Sequence, residues 1–182
     1  MKKFLFIFFL LALPKANLIF NHHEVKAESA SYYFERATKK SEKGLRLEAI
    51  ADFTTAIYLD PSLWQAFNNR GLDKMLIEDY SGAINDFSKT IEIKPDFANA
   101  YYFRGWSKDL LQDYQGAIND LNKAISLDDN KADYYYILGN AYYKSGFEEV
   151  ACNSWINASR SNQKIDPDVN KNANTLIDQL CN

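Results

Sequence analysis

The sequence predicts an all-α solenoid: four helix-turn-helix repeats of 34 residues, closed by a C-terminal capping helix. Three observations carry this. Sliding the chain against itself by 34 superimposes Glu48-Ala49-Ile50-Ala51-Asp52-Phe53 on Gly82-Ala83-Ile84-Asn85-Asp86-Phe87. The register runs on without a gap through Gly116-Ala117-Ile118-Asn119-Asp120-Leu121 to a weaker Val150-Ala151-Cys152-Asn153-Ser154-Trp155. Only seven glycines and four prolines interrupt 182 residues, which leaves long helices intact and disfavours a loop-rich sandwich. With 47% apolar and 15% aromatic residues, the chain has enough material for a core.

In chain order, the first element is a leader. Met1-Lys2-Lys3 carries charge, and Phe4 to Leu13 is an unbroken apolar run of ten residues. That run is too short to span a bilayer as a helix, and Pro14 and Lys15 interrupt it before Leu18-Ile19-Phe20. It reads as the core of an export signal, with Val25-Lys26-Ala27 placing cleavage after Ala27. The alternative is an uncleaved anchor at a membrane. Removal of residues 1–27 takes away Lys2, Lys3, Lys15, Lys26 and Glu24, leaving 17 basic and 23 acidic residues. A chain so acidic lacks the clustered Lys and Arg that phosphate backbones and anionic headgroups require, so nucleic acid is not an expected partner. His22 and His23 leave with the leader, and with them the commonest general base and transition-metal ligand.

The repeats start at Ala30, Trp64, Ala98 and Ala132 and give units 30–63, 64–97, 98–131 and 132–165 within a repeat region of 28–165. Tyr135, Leu138, Gly139 and Tyr142 mark the first helix of the last unit. Tyr101 with Gly105, Phe67 with Gly71, and Tyr33 with Ala37 keep the aromatic and the small residue. Ala49 and Phe53, Ala83 and Phe87, Ala117 and Leu121, and Ala151 and Trp155 mark the second helices, and Pro61 and Pro95 close the first two units. Asp129 and Gln163 stand where later prolines are expected. In spacing and residue types the pattern resembles the tetratricopeptide repeat, of the exported bacterial type. The small residues let paired helices approach, the aromatics lock between neighbours, and each unit leans on the next because one hairpin cannot bury its own faces.

One departure from that pattern recurs. Arg36, Arg70 and Arg104 occupy the position of the expected leucine, and sixteen residues on lie Asp52, Asp86 and Asp120. The fourth unit has Leu138 and Ser154 instead. In antiparallel helices joined by a short turn those positions face each other, which predicts an Arg–Asp bridge inside each of the first three units; the alternative is chance among solvated charges.

After the fourth unit, Asp166-Pro167 is a helix start, and Val169, Ala173, Leu176, Ile177 and Leu180 form an apolar stripe, so residues 166–182 are expected to cap the solenoid. Cys152 and Cys181 are an even pair in a chain expected to be exported, which suggests a disulfide stapling cap to body; two buried thiols in a reducing compartment are the alternative.

The resemblance implies that the first helices line a concave groove that binds a protein or peptide segment. Position by position, the groove is expected to carry Phe34 with Thr38, then Asn68, Leu72 and Met75, then Asn99, Tyr102, Trp106 and Asp109, then Tyr136, Asn140 and Tyr143. Rings supply area at low entropic cost and amides pair with a peptide backbone, so this is the composition of a recognition surface, with Tyr102, Trp106 and Tyr136 expected to be exposed. Phe34 stands where co-chaperone repeats begin their carboxylate clamp with Lys, and Leu72 and Trp106 also break that clamp, so chaperone tails are not expected. No phosphate loop and no cysteine pair with metal spacing is present, and the carboxylates are expected on solvated faces, so neither enzyme nor cofactor nor metal is expected. Only Asp109 and Asp133 are nominees for a hidden site. The resulting expectation is an exported, periplasmic or lumenal, scaffold, adaptor or assembly factor. The rival is a membrane-anchored structural component of a larger complex, which touches a membrane only through an uncleaved amino end. The oligomeric state is not specified by the sequence.

Overall fold

The computed structural model describes residues 29–160 and 167–181. The expected leader and the Asp166 cap lie outside the described residues. Four antiparallel helix pairs follow one another: α1 (Ala30–Glu42) with α2 (Arg46–Leu59), α3 (Trp64–Leu76) with α4 (Tyr80–Ile93), α5 (Ala98–Leu110) with α6 (Tyr114–Leu127), and α7 (Ala132–Lys144) with α8 (Glu148–Arg160). A last helix, α9 (Pro167–Leu180), covers α8 and touches α7. The fold is an α-solenoid of four hairpins and a cap.

Local chemistry sets the helix ends. Ser29 accepts from the Tyr32 amide, Asp79 from Gly82 and Asp113 from Gly116, each satisfying a donor that the first turn leaves open. Asp60 before Pro61 is extended (φ −139°), because a residue preceding proline is pushed out of the helical region, and α2 stops at Leu59. The turn inside each unit contains one left-handed residue at the same register: Gly44 (φ 76°), Glu78 (φ 65°), Gln112 (φ 65°) and Gly146 (φ 83°). Glycine adopts that conformation freely, whereas Glu78 and Gln112 carry a Cβ into it. Glu78→Gly and Gln112→Gly are each expected to raise the urea midpoint, by a stabilisation of about 0.5–1 kcal/mol; a lowered midpoint contradicts this account.

Packing follows from the small residues. Ala37, Ala49, Ala56, Ala66, Ala83, Ala100, Ala117, Ala124, Ala141 and Ala151 are fully buried, so helices meet almost backbone to backbone. Phe53, Phe87, Leu121 and Trp155 fill the space left between hairpins, and a Cβ at Gly71 would stand 2.9 Å from the Phe87 ring. Consecutive first helices touch (α1 with α3, α3 with α5, α5 with α7), whereas consecutive second helices do not, so the described array curves with its first helices on the inner side. At the C-terminal end, Ala173 is buried against Ala151, Trp155 and Ala158, with Leu176 and Ile177 half-buried beside them. Leu180, expected on the buried stripe, is 40% exposed, whereas Cys181 beside it is half-buried against the Trp155 cluster.

Candidate protein-binding groove

Between the first and second helices of each of the first three units, charges come in threes. Arg36 donates from Nε and Nη2 to the two carboxylate oxygens of Asp52, both at 2.7 Å, and Arg70 does the same to Asp86 at 2.9 and 2.6 Å. Arg104 meets Asp120 at 2.8 and 2.6 Å. Each aspartate also takes a lysine from the next turn of the first helix: Lys40 at 2.7 Å, Lys74 at 2.8 Å and Lys108 at 2.7 Å. The third nitrogen of Arg70 reaches Thr54, and that of Arg104 reaches Ser88, so the fork ties units two and three each to the one before it. The guanidinium planes also lie over Tyr33, Phe67 and Tyr101. Hydrogen bonding from Arg36, helped by Lys40, holds the Asp52 carboxyl below the usual carboxylate range against the opposing effect of burial.

The lysines were not singled out in the sequence, although their signal is there: they recur at 34-residue spacing in three units and give way to Tyr142 in the fourth, where Arg and Asp are also absent. Asp86→Ala alone leaves two half-buried cations facing an emptied site and is expected to cost about 2 kcal/mol. The triple change Arg70→Leu, Lys74→Tyr, Asp86→Ser copies what unit four already does. It is expected to cost less than Asp86→Ala in urea melts; a larger cost excludes the triad as a self-contained module.

Among the described residues most carboxylates lie on solvated faces, as expected, but five aspartates are buried: Asp52, Asp86 and Asp120 in the predicted bridges, and, against that expectation, Asp73 and Asp109 on the inner helices. Each is offset by cations, of which Lys40, Lys74, Lys108, Arg46 and Lys144 were not assigned to a partner from the sequence. Asp73 accepts from Ser41 Oγ at 2.7 Å and from Arg46 Nη1 at 2.8 Å, while its Oδ2 has no donor among the described residues. Asp109 is bound by Lys144 at 2.6 Å, with Oδ1 likewise unmatched.

Several residues expected at the groove surface are therefore elsewhere. Tyr102 is a core residue, 8% exposed, its ring stacked on Tyr134 at 4.8 Å and tilted against Phe103 and Trp106. Asn68 and Asp109 are also buried, Asn68 donating to Asn69 and Asp109 bound by Lys144 from the next unit. Asn99 is exposed but sits at the start of α5, where it accepts from the Tyr134 hydroxyl and borders a polar cleft with Leu127 and Lys131, away from the groove floor. Burial raises the Tyr102 phenol, and burial likewise pushes Tyr134 up to about 12, so both remain hydroxyl donors at neutral pH. Phe34, Tyr136 and Asn140 are half-buried, Asn140 accepting from the Trp155 indole, while Tyr143 is exposed.

An apolar pocket of about 460 Å³ lies open between α3 and α5. Leu72, Met75, Phe103 and Trp106 form its floor, and Leu76, Leu110 and Tyr80 form its rim toward the turns, with Asp73 and Arg46 in one wall. Leu72, Met75 and Trp106 are thus the expected residues that the fold brings together. Among the described residues no cluster of His, Cys, Asp or Glu is arranged to hold a metal ion, and no helix is long and apolar enough to cross a membrane. Cys152 and Cys181 are joined, with sulfurs 2.09 Å and Cα atoms 5.7 Å apart.

A family model described as TPR repeat matches residues 110–146, from the end of α5 through α7. A solved MamA protein is similar over 85% of this chain and 87% of its own, with 26% identity and a TM-score of 0.70. MamA from residue 41 to its end, from Desulfovibrio magneticus RS-1, is 19% identical over 78% of this chain and 80% of its own, with a TM-score of 0.72. The first TPR of Spaghetti (RPAP3), bound to the HSP90 peptide SRMEEVD, is 21% identical over 65% of this chain and 94% of its own, with a TM-score of 0.64. The last two likenesses concern the fold alone. No curated protein matches the sequence closely enough to be informative.

Proposed function

We propose that this chain, whose repeats are tetratricopeptide repeats, is an exported adaptor or assembly factor that holds a protein segment in its inner groove. The observation that carries the reading is the pocket between α3 and α5, a preformed apolar cavity of about 460 Å³ on the inner face. A site of that size takes more than one large side chain, and Trp106 and Met75 at its floor are the anchor types found at interfaces. A neighbouring fold, the RPAP3 repeat, holds a peptide, which is consistent with such use of the scaffold. The export part of the reading rests on the charged start and the ten apolar residues from Phe4 to Leu13.

The test is cross-linking and affinity capture from the native host with wild-type chain and a Met75→Ser, Trp106→Ala variant, both checked by helical circular dichroism. A partner captured by the wild type and lost by the variant supports the reading. Equal capture by both removes the groove as the binding site. Intact mass of the protein isolated from that host separates adaptor from anchored component: a mass lacking residues 1–27 supports a released adaptor, whereas a mass retaining them supports a membrane-anchored structural role.

A further inference from the structure

The pocket does not stop at the inner face. Its rim residues Leu76 and Leu110, 64% and 40% exposed, belong equally to the edge where the turns inside each unit emerge. That edge is apolar along the array: Leu45 in unit one, Leu76 and Ile77 in unit two, Leu110 and Leu111 in unit three and Phe147 in unit four are each at least 40% exposed. Isolated exposed leucines are ordinary, but one per unit on the same edge makes a continuous strip that water does not favour. The strip is also bordered by carboxylates. Glu42, Glu48, Glu78, Glu148 and Glu149 are exposed at the same turns, and none is in an ion pair among the described residues. Of the basic residues at these turns, Arg46 is engaged with Asp73 and Lys144 with Asp109, while Lys43 stands exposed, so the five glutamates leave the edge net acidic. Behind the strip, in the pocket wall, the 1% exposed Asp73 keeps its Oδ2 without a donor among the described residues.

We propose that the pocket between α3 and α5 and the apolar turn edge beside it form one docking surface for an amphipathic, cationic segment of a partner protein. Its large apolar side chains enter the pocket over Leu76 and Leu110, and its Lys or Arg residues meet the glutamates along the edge. This rests on the groove reading above and names the chemistry of its partner. Charge complementarity decides between occupants. An acidic segment like the peptide bound by RPAP3 is repelled by this rim, and an anionic lipid surface is repelled by the same carboxylates. A helix with apolar residues about two turns apart matches Leu76 and Leu110, which sit at the same register on neighbouring first helices packed about 8–10 Å apart.

The test is fluorescence anisotropy on the full chain with three labelled peptides of equal length: an amphipathic Leu/Lys peptide, the same peptide with Glu for every Lys, and the same peptide with Ser for every Leu. The Leu/Lys peptide is expected to bind, to weaken with added salt, and to lose about tenfold in affinity with a Leu76→Ser, Leu110→Ser variant, whose exposed positions leave the fold intact. A Glu48→Lys, Glu78→Lys variant is expected to weaken the Leu/Lys peptide and to strengthen the Leu/Glu one. Equal binding of the Leu/Glu or the Ser/Lys peptide by the wild type overturns the proposal, as does unchanged affinity in the double serine variant. A natural partner still captured through Trp106 in that case sinks only this inference and leaves the groove reading standing; a partner indifferent to Trp106 sinks the groove reading as well.

Discussion

Truncating Trp155 to alanine is expected to lower the free energy of unfolding by about 4 kcal/mol, the range for removing a large aromatic from a packed core. Trp155 is 1% exposed and lies where three helices meet: its ring contacts Tyr143 at a centroid distance of 5.8 Å, and its indole N–H donates to Asn140. Ala151, Ala158 and Ala173 close around it, and none is long enough to collapse into the void. In a solenoid each unit is stabilised through its neighbours, so the loss should be local. Amide exchange is the measurement: protection should fall across α7, α8 and α9 and change little in α1 to α4. Uniform loss along the chain would show that the array unfolds as one block.

The same ring gives Gly139 its meaning. A Cβ built at Gly139 would lie 2.4 Å from Trp155 Nε1 and 2.5 Å from its Cδ1, distances that force the indole to move. Gly139→Ala is therefore expected to cost about 2 kcal/mol despite the better helix propensity of alanine. In a Trp155→Ala background the obstacle is gone, and the substitution should stabilise by up to about 1 kcal/mol. That change of sign distinguishes close approach from any general intolerance of side chains at this position.

These examples also mark what was legible in the sequence. The 34-residue offset superimposes residues with equivalent surroundings, and Gly71, Gly105 and Gly139 against Phe87, Leu121 and Trp155 are such a set, so the hairpin architecture is written in the repeat itself. Exposure is not. Tyr102 and Trp106 share an inner face one turn apart, but Tyr134 from the next unit covers Tyr102 and leaves Trp106 at a pocket, and that depends on a residue 32 positions away. The left-handed turns at Glu78 and Gln112 were hidden for a different reason. Neither residue type signals the conformation, and only the glycines at the same register, Gly44 and Gly146, point to it. Asp86 was legible because Arg70 recurs with it at a fixed spacing, whereas the burial of Asp73 and Asp109 was not, because their cations Arg46 and Lys144 come from helices of other units.

Removing the Cys152–Cys181 link is expected to cost about 3.5 kcal/mol, the chain-entropy value for releasing a loop of this length. Cys152 is on α8 and Cys181 follows α9, so the bond holds both ends of the closed segment at the point where Leu176 and Ile177 pack on Trp155's cluster. Without it α9 keeps only a short apolar contact, with Ala173 its one fully buried described side chain. A Cys152→Ala, Cys181→Ala variant should therefore release α9 before the hairpins melt, exposing Trp155 and shifting its emission to the red at denaturant concentrations that leave the α1 to α4 amides protected. Dithiothreitol should reproduce that shift in the wild type and do nothing further to the variant. If reduction leaves Trp155 emission and α9 protection unchanged, apolar contacts alone hold the cap, and the stabilisation of the C-terminal unit must be sought in the packing of Ala158 and Ala173 rather than in the covalent closure.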